Sequence, residues 1–222
     1  MNKKEVRFLE LAEVRAVQDE RGAWIEGYPI VFNQETVIGG YCREMILREA
    51  VTQALLKGVA LMIGHDFGMI PLAHSRNNNE NSTMQLTIDE HGVKMRALLD
   101  VGNNPRAKEA YSAIVRGDIS GMSFAFIVEA ERWEDLDTDM PLRVITKLAA
   151  IFEVSLVAFP QYTGTSVQAA SEGEALESVR ASLESARKQL EEERAQEAEQ
   201  ERRTAALERL ENLMKEVRDR EV

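Results

Sequence analysis

Cysteine, histidine and long apolar runs are scarce in this sequence, and each shortage excludes something. One cysteine, Cys42, leaves no internal disulfide and no cysteine-rich zinc site. It reads as a half-buried small hydrophobe. As a nucleophile it has little support, because none of the three histidines carries a recognisable cysteine-protease context. No apolar run approaches the ~20 residues of a membrane helix. Met1 to Glu10 is charged and lacks the apolar stretch of a signal peptide. The chain is therefore expected to fold and act where it is made, in the cytoplasm, with no membrane partner. Positive charge is also short: 27 Lys and Arg against 38 Asp and Glu give a net charge of −11. That is the opposite of the basic surface usual in nucleic-acid binders, so no direct nucleic-acid partner is expected. Acidity alone names no other partner.

What is present suits one domain of ordinary size plus an appendage: 222 residues, 44% of them hydrophobic. Composition changes near residue 170. From Ser171 to Val222 there are 15 acidic and 10 basic residues, no proline, and no glycine after Gly173. Leu176, Val179, Leu183, Ala186 and Leu190, then Leu207, Leu210, Met214 and Val217, recur at steps of three and four. Such steps make one apolar stripe on a helix. The stripe is nearly blank from Glu191 to Arg203, and its heptad phase slips across that gap. The expectation is two domains, 1–170 and 171–222. The second would be an acidic helical tail that docks on a partner, is removed by processing, or is simply a solvated helix.

The first 170 residues read as α+β. Val6 to Val17 and Ala23 to Phe32 are strand candidates around a turn at Asp19 to Gly22. Arg43 to Lys57 is predicted helical, with Met45, Ile46, Ala50, Leu55 and Leu56 on one face and Gly58 ending it. Val59 to Ile63 is a short buried strand. Thr83 to Ile88 and Val93 to Leu99 flank a hairpin signal at Asp89 to Gly92. Pro105 to Arg116 is a helix, with Asn104 as N-cap and Gly117 at its end. Met122 to Ala130 and Arg143 to Ala158 are two long strands. Many strands without regular βαβ alternation suggest a mainly antiparallel sheet or barrel.

Three places could carry chemistry. Gly64-His65-Asp66 follows the apolar run Val59 to Ile63, so a rigid strand can aim the imidazole. Strand alternation turns Asp66 away from His65. A histidine suits general-base work near neutrality, although a lone one is usually structural. Gly117 to Phe126 runs from a glycine turn through Ser120 and Ser123 into an apolar strand. There a hydroxyl could sit beside backbone N–H groups, as acyl transfer requires; a cap or turn hydroxyl is the plain alternative. Glu153 is a lone carboxylate in the apolar strand Ala150 to Pro160. If buried it needs a partner, and histidine is a natural one. Alternation places Ser155 on the side of Glu153, which equally fits a pair facing water.

Met62 to Asp66 with Pro71-Leu72-Ala73, then Asp118 to Phe126, then Phe152 to Pro160 carry a resemblance. In order and spacing these segments are similar to the motifs of the prohead (capsid maturation) proteases of tailed bacteriophages, Hong Kong 97 type. The likeness spans about residues 5 to 166 and leaves out the tail. It implies a fold related to the herpesvirus assemblins, a mainly antiparallel β-barrel with surrounding helices. It implies His65 as base, Ser123 as nucleophile and Glu153 as third member of the triad. In assemblins the third member is a second histidine, for which His74 and His91 are the candidates here. His74 stands where relatives favour a small residue. The implied function is a serine endopeptidase that needs no cofactor or metal. It would act inside the assembling procapsid in the host cytoplasm, on the scaffolding region of the major capsid protein and on itself. Homo-oligomerisation stays open. Two rivals stand beside this reading. One is a non-enzymatic scaffold or capsid assembly protein, which the acidic tail would suit. The other is a metal hydrolase using His65, Asp66, His74 and His91, whose spacing fits no helical zinc motif.

Overall fold

The computed structural model describes residues 4–9, 14–158 and 169–220. In chain order the elements are β1 (Lys4–Leu9), β2 (Arg15–Asp19), β3 (Gly22–Val31), β4 (Thr36–Ile38) and β5 (Cys42–Ile46). Two 3-10 turns follow, Arg48–Ala50 and Gln53–Leu56. Then come β6 (Ala60–Ile63), β7 (Ala73–His74), β8 (Met84–Ile88), β9 (Gly92–Leu99), α1 (Pro105–Arg116), β10 (Gly121–Glu134), β11 (Leu142–Val157) and α2 (Ala169–Arg220). The chain divides into two compact units, Met1–Ser178 and Val179–Val222. Residues 10–13 of the first strand candidate, and Phe159 and Pro160 of the third motif, lie outside the described residues.

The first unit is α+β with two sheets. One runs β2-β3-β9-β8, all antiparallel. The other runs β1-β10-β11-β5-β4, with β6 and β7 attached through β11. Between the sheets lies one hydrophobic core. Ile25, Ile30, Met95 and Leu99 enter it from the first sheet, and Phe124, Phe126, Ile145 and Leu156 from the second. Ala107, Ala110 and Ile114, at helical steps of three and four, bring α1 into it. The cap residues behave as their chemistry predicts. The Asn104 side chain accepts hydrogen bonds from the N–H groups of Arg106 and Ala107, and Gly117 takes the left-handed conformation at φ 80°.

The sheets do not close into a barrel, which corrects the expectation drawn from the resemblance. The cause is visible on β11. Its one edge takes β10 along nearly its whole length. Its other edge takes two short parallel partners, β5 at Leu142–Ile145 and β6 at Glu153–Leu156. The sheet therefore branches, and it is mixed rather than purely antiparallel.

The helix expected over Arg43 to Lys57 is also corrected. Cys42–Ile46 is a strand, and only single 3-10 turns follow it. The apolar spacing of Met45, Ile46 and Ala50 suits a helix locally. Pairing with β4 and β11 overrides it, with Cys42, Glu44 and Ile46 alternating inward.

Glu44 can face inward because it meets Arg143, which is 2% exposed. Arg143 pairs with Glu5 through two hydrogen bonds of 2.7 and 2.9 Å, with Glu44 at 2.8 Å, and with Glu131. Burial alone would lower the Arg143 pKa. The hydrogen bond to Glu5 and the charges of Glu44, Glu5 and Glu131 instead hold it above its ordinary value. One cation thus ties β1, β5, β10 and β11 together.

The second unit holds α2 from Val179 onward, and the helix continues without a break through the region where the apolar stripe is blank. Residues 191–212 are exposed throughout. Among the described residues no helix is long and apolar enough to cross a membrane.

Candidate active site

In the antiparallel pairing of β10 with β11, Ser123 lies opposite Ser155 and Ala125 opposite Glu153. Residues paired across a sheet share a face, as do residues two apart along a strand. Ser123, Ala125, Glu153 and Ser155 therefore form one face. Met122, Phe124, Val154 and Leu156 form the other and enter the core. The small side chain of Ala125 keeps the space opposite Glu153 open. The register then skips Phe152, since the next pair is Phe126 with Ile151. This bulge leaves Phe152 exposed while Glu153 turns fully inward.

β6 runs parallel along the other edge of β11, with Ala60 beside Glu153 and Met62 beside Ser155. Pairing continues one step past the strand, where the Gly64 N–H donates to the Leu156 carbonyl at 3.0 Å. Gly64 and His65 then both take left-handed backbone conformations, each at φ 59°. Glycine does this freely. For His65 it costs roughly 1–2 kcal/mol. The turn folds the imidazole back over the sheet it has just left.

Three side chains meet there. His65 Nδ1 is 2.6 Å from Glu153 Oε1, and His65 Nε2 is 2.6 Å from Ser123 Oγ. An ionised carboxylate only accepts, so Nδ1 carries the proton and donates it to Glu153. Nε2 is then left to accept from the Ser123 hydroxyl. Ser123 and Glu153 are 0% exposed, and the His65 side chain is 11% exposed. A carboxylate that orients an imidazole, and an imidazole placed on a hydroxyl, is a geometry that activates the hydroxyl as a nucleophile.

The structure thus brings together His65, Ser123 and Glu153, the residues named from the sequence. It does not bring in the others. Ser120 is exposed on the approach to β10. Asp66 Oδ1 accepts from the Gly68 N–H at 3.0 Å. His74 Nδ1 accepts from the Arg76 N–H at 2.9 Å, and His91 packs edge-on against Tyr28 with ring centroids 4.6 Å apart. Among the described residues no group of three or more His, Cys, Asp or Glu is placed to hold a metal ion. One site neighbour was not singled out from the sequence. Ser155 Oγ donates to Glu153 Oε2 at 2.6 Å and accepts from the His65 backbone N–H at 3.0 Å. Strand alternation with Glu153 was the signal for it.

Beside the His65 turn is a groove of about 190 Å³ lined by Met62, Ile63, Asp66, Met69, Ile70 and Leu72, with Arg106 and Glu109 from α1. Ile70 is 86% exposed.

Comparison with known proteins identifies the family. The family described as Caudovirus prohead serine protease matches residues 10–179. The prohead protease of Enterobacteria phage HK97 is 25% identical over 171 residues, covering 76% of this chain and 69% of that protein. No solved structure matches.

Proposed function

The chain belongs to the caudovirus prohead serine protease family, and on that premise we propose that Ser123, His65 and Glu153 are its catalytic triad. Membership makes it a serine peptidase of phage capsid maturation and sets aside a non-enzymatic assembly role. The observation that carries the triad is the unbroken Glu153–His65–Ser123 chain of 2.6 Å contacts within a buried face.

In the first half-reaction the Ser123 hydroxyl proton moves to His65 Nε2 as Oγ bonds the peptide carbonyl carbon. Glu153 stabilises the imidazolium that forms. The C–N bond then breaks, and the leaving amine takes the proton from Nε2. In the second half-reaction a water gives its proton to His65 and attacks the ester. The acyl–oxygen bond breaks, the new carboxyl terminus leaves, and Ser123 regains its proton.

The substrates in this reading are the scaffolding region of the major capsid protein and the protease itself, cleaved inside the assembling procapsid. The groove beside the His65 turn, with apolar side chains from Met62 to Leu72 and the charged Asp66, Arg106 and Glu109, offers a seat for a side chain of the peptide. The exposed stretch 191–212 of α2 serves as the segment that holds the protease to capsid or scaffold.

The test is to express the chain with its capsid protein and to map every new terminus by mass spectrometry. Ser123→Ala and His65→Ala should each abolish processing while the protein stays folded. The double variant should be little worse than either single one, because the two act as a unit. Ser120→Ala should still process. Complete processing by Ser123→Ala, in a preparation free of other proteases, would overturn the mechanism.

A further inference from the structure

Ser155 is fully buried two residues from Glu153 on β11, and its hydroxyl both donates and accepts. The O–H donates to Glu153 Oε2 at 2.6 Å, and the oxygen accepts from the His65 N–H at 3.0 Å. Each oxygen of the Glu153 carboxylate thus has its own donor: His65 Nδ1 on Oε1 and Ser155 on Oε2. A carboxylate held at both oxygens cannot rotate away from the ring. The second bond acts at the other end of the histidine. It satisfies the N–H of a residue held at φ 59°, a conformation a non-glycine residue keeps only when its surroundings require it.

We propose that Ser155 is a positioning residue of the proteolytic site, one hydroxyl that fixes both the backbone of the general base and the carboxylate that orients its ring. The proposal rests on the triad reading. Ser155 does not touch the scissile peptide. It acts through Glu153 and His65, so its loss should reduce turnover rather than substrate binding. Ser155→Ala removes one hydrogen bond to a buried carboxylate and orphans the His65 N–H. A bond of that kind corresponds to about a ten- to hundred-fold change in rate.

The assay uses the full chain and a peptide spanning a cleavage site mapped in the capsid protein. Ser155→Ala is expected to lower kcat by about ten- to a hundred-fold, with KM unchanged and the far-UV spectrum that of wild type. In a Glu153→Gln background the same substitution should cost less, because only its bond to the His65 N–H is then left to lose. A readout independent of turnover comes from NMR on Ser123→Ala protein. The downfield imidazole N–H signal of His65 should be present there and lost or broadened once Ser155→Ala is added.

An unchanged kcat in Ser155→Ala, an equal loss in both backgrounds, or an unmoved imidazole signal would each overturn the inference. If Glu153→Gln itself turns over at the wild-type rate, the triad reading falls and this inference falls with it. If Glu153→Gln is impaired and Ser155→Ala is not, the triad stands and only the role of Ser155 is lost.

Discussion

Replacing Glu153 by glutamine changes charge and hydrogen-bond polarity while hardly changing volume, which makes it the sharpest probe of the site. The carboxylate is 0% exposed and accepts from His65 Nδ1 and from Ser155 Oγ, each at 2.6 Å. The amide can enter that space in two ways. With its nitrogen toward His65, two donors face each other. The ring must then move its proton to Nε2, where it points at Ser123 and cannot accept the hydroxyl proton. In Ser-His-Asp enzymes the corresponding tautomer swap costs about 10⁴ in kcat, or roughly 5 kcal/mol. With its oxygen toward His65, the amide nitrogen donates to Ser155 Oγ, which still accepts from the His65 N–H through its other lone pair. The tautomer survives, and the losses are the charge that stabilises the imidazolium and the acceptor of the Ser155 O–H. A charge-assisted hydrogen bond is worth about 1.5–3 kcal/mol, which gives a loss of about ten- to a hundred-fold.

The measured kcat therefore reports which way the amide sits. KM should hold, since Glu153 does not face the peptide. Folding should hold too, because a neutral group of equal size replaces a buried charge. Single-turnover cleavage of a capsid-derived peptide, with a thermal melt as control, reads both. Wild-type kcat in folded Glu153→Gln would refute the reasoning, since neither orientation permits it.

Two further expectations test the frame and the tail. Arg143→Met leaves Glu5, Glu44 and Glu131 facing one another with no cation among these partners, and should cost about 3–5 kcal/mol in urea denaturation; a loss below about 1 kcal/mol would mean the cluster relaxes into water. Truncation after Leu190 keeps the buried Val179 and Leu183 and removes the exposed Leu207, Leu210 and Met214. Peptide cleavage should survive it while incorporation into procapsids falls, and normal incorporation would refute a docking role for the tail.

The candidate residues were legible one segment at a time, each with a plain alternative, and it was the resemblance in motif order and spacing that joined them into one site. A histidine at the end of a short apolar strand and a serine entering an apolar strand are visible within single segments. So is a lone carboxylate in an apolar run, where burial itself demands a partner. What stayed hidden depends on pairing between distant segments. Nothing in Phe152-Glu153-Val154 announces that the register skips Phe152, which leaves that ring exposed beside the buried Glu153. Nothing local gives His65 its left-handed backbone, which β11 supports through Ser155 and Leu156. The helix expected over Arg43 to Lys57 gives way to strand up to Ile46 because Arg143, which permits a buried Glu44, lies 99 positions from it.

The missing barrel and the assembled site have the same origin. A closed barrel would commit the far edge of β11 to one continuous neighbour. Here that edge is shared, with β5 on its first four residues and β6 on Glu153 to Leu156. Because β6 is short and parallel, its C-terminal end falls beside Leu156, level with the polar face that carries Ser123, Glu153 and Ser155. A two-residue left-handed turn at Gly64 and His65 is then enough to place the imidazole between the hydroxyl and the carboxylate. A longer β6 would carry His65 past the end of β11 and out of reach of Glu153. The branch that stops the sheet from closing is also what brings the His65 imidazole to the Ser123 hydroxyl.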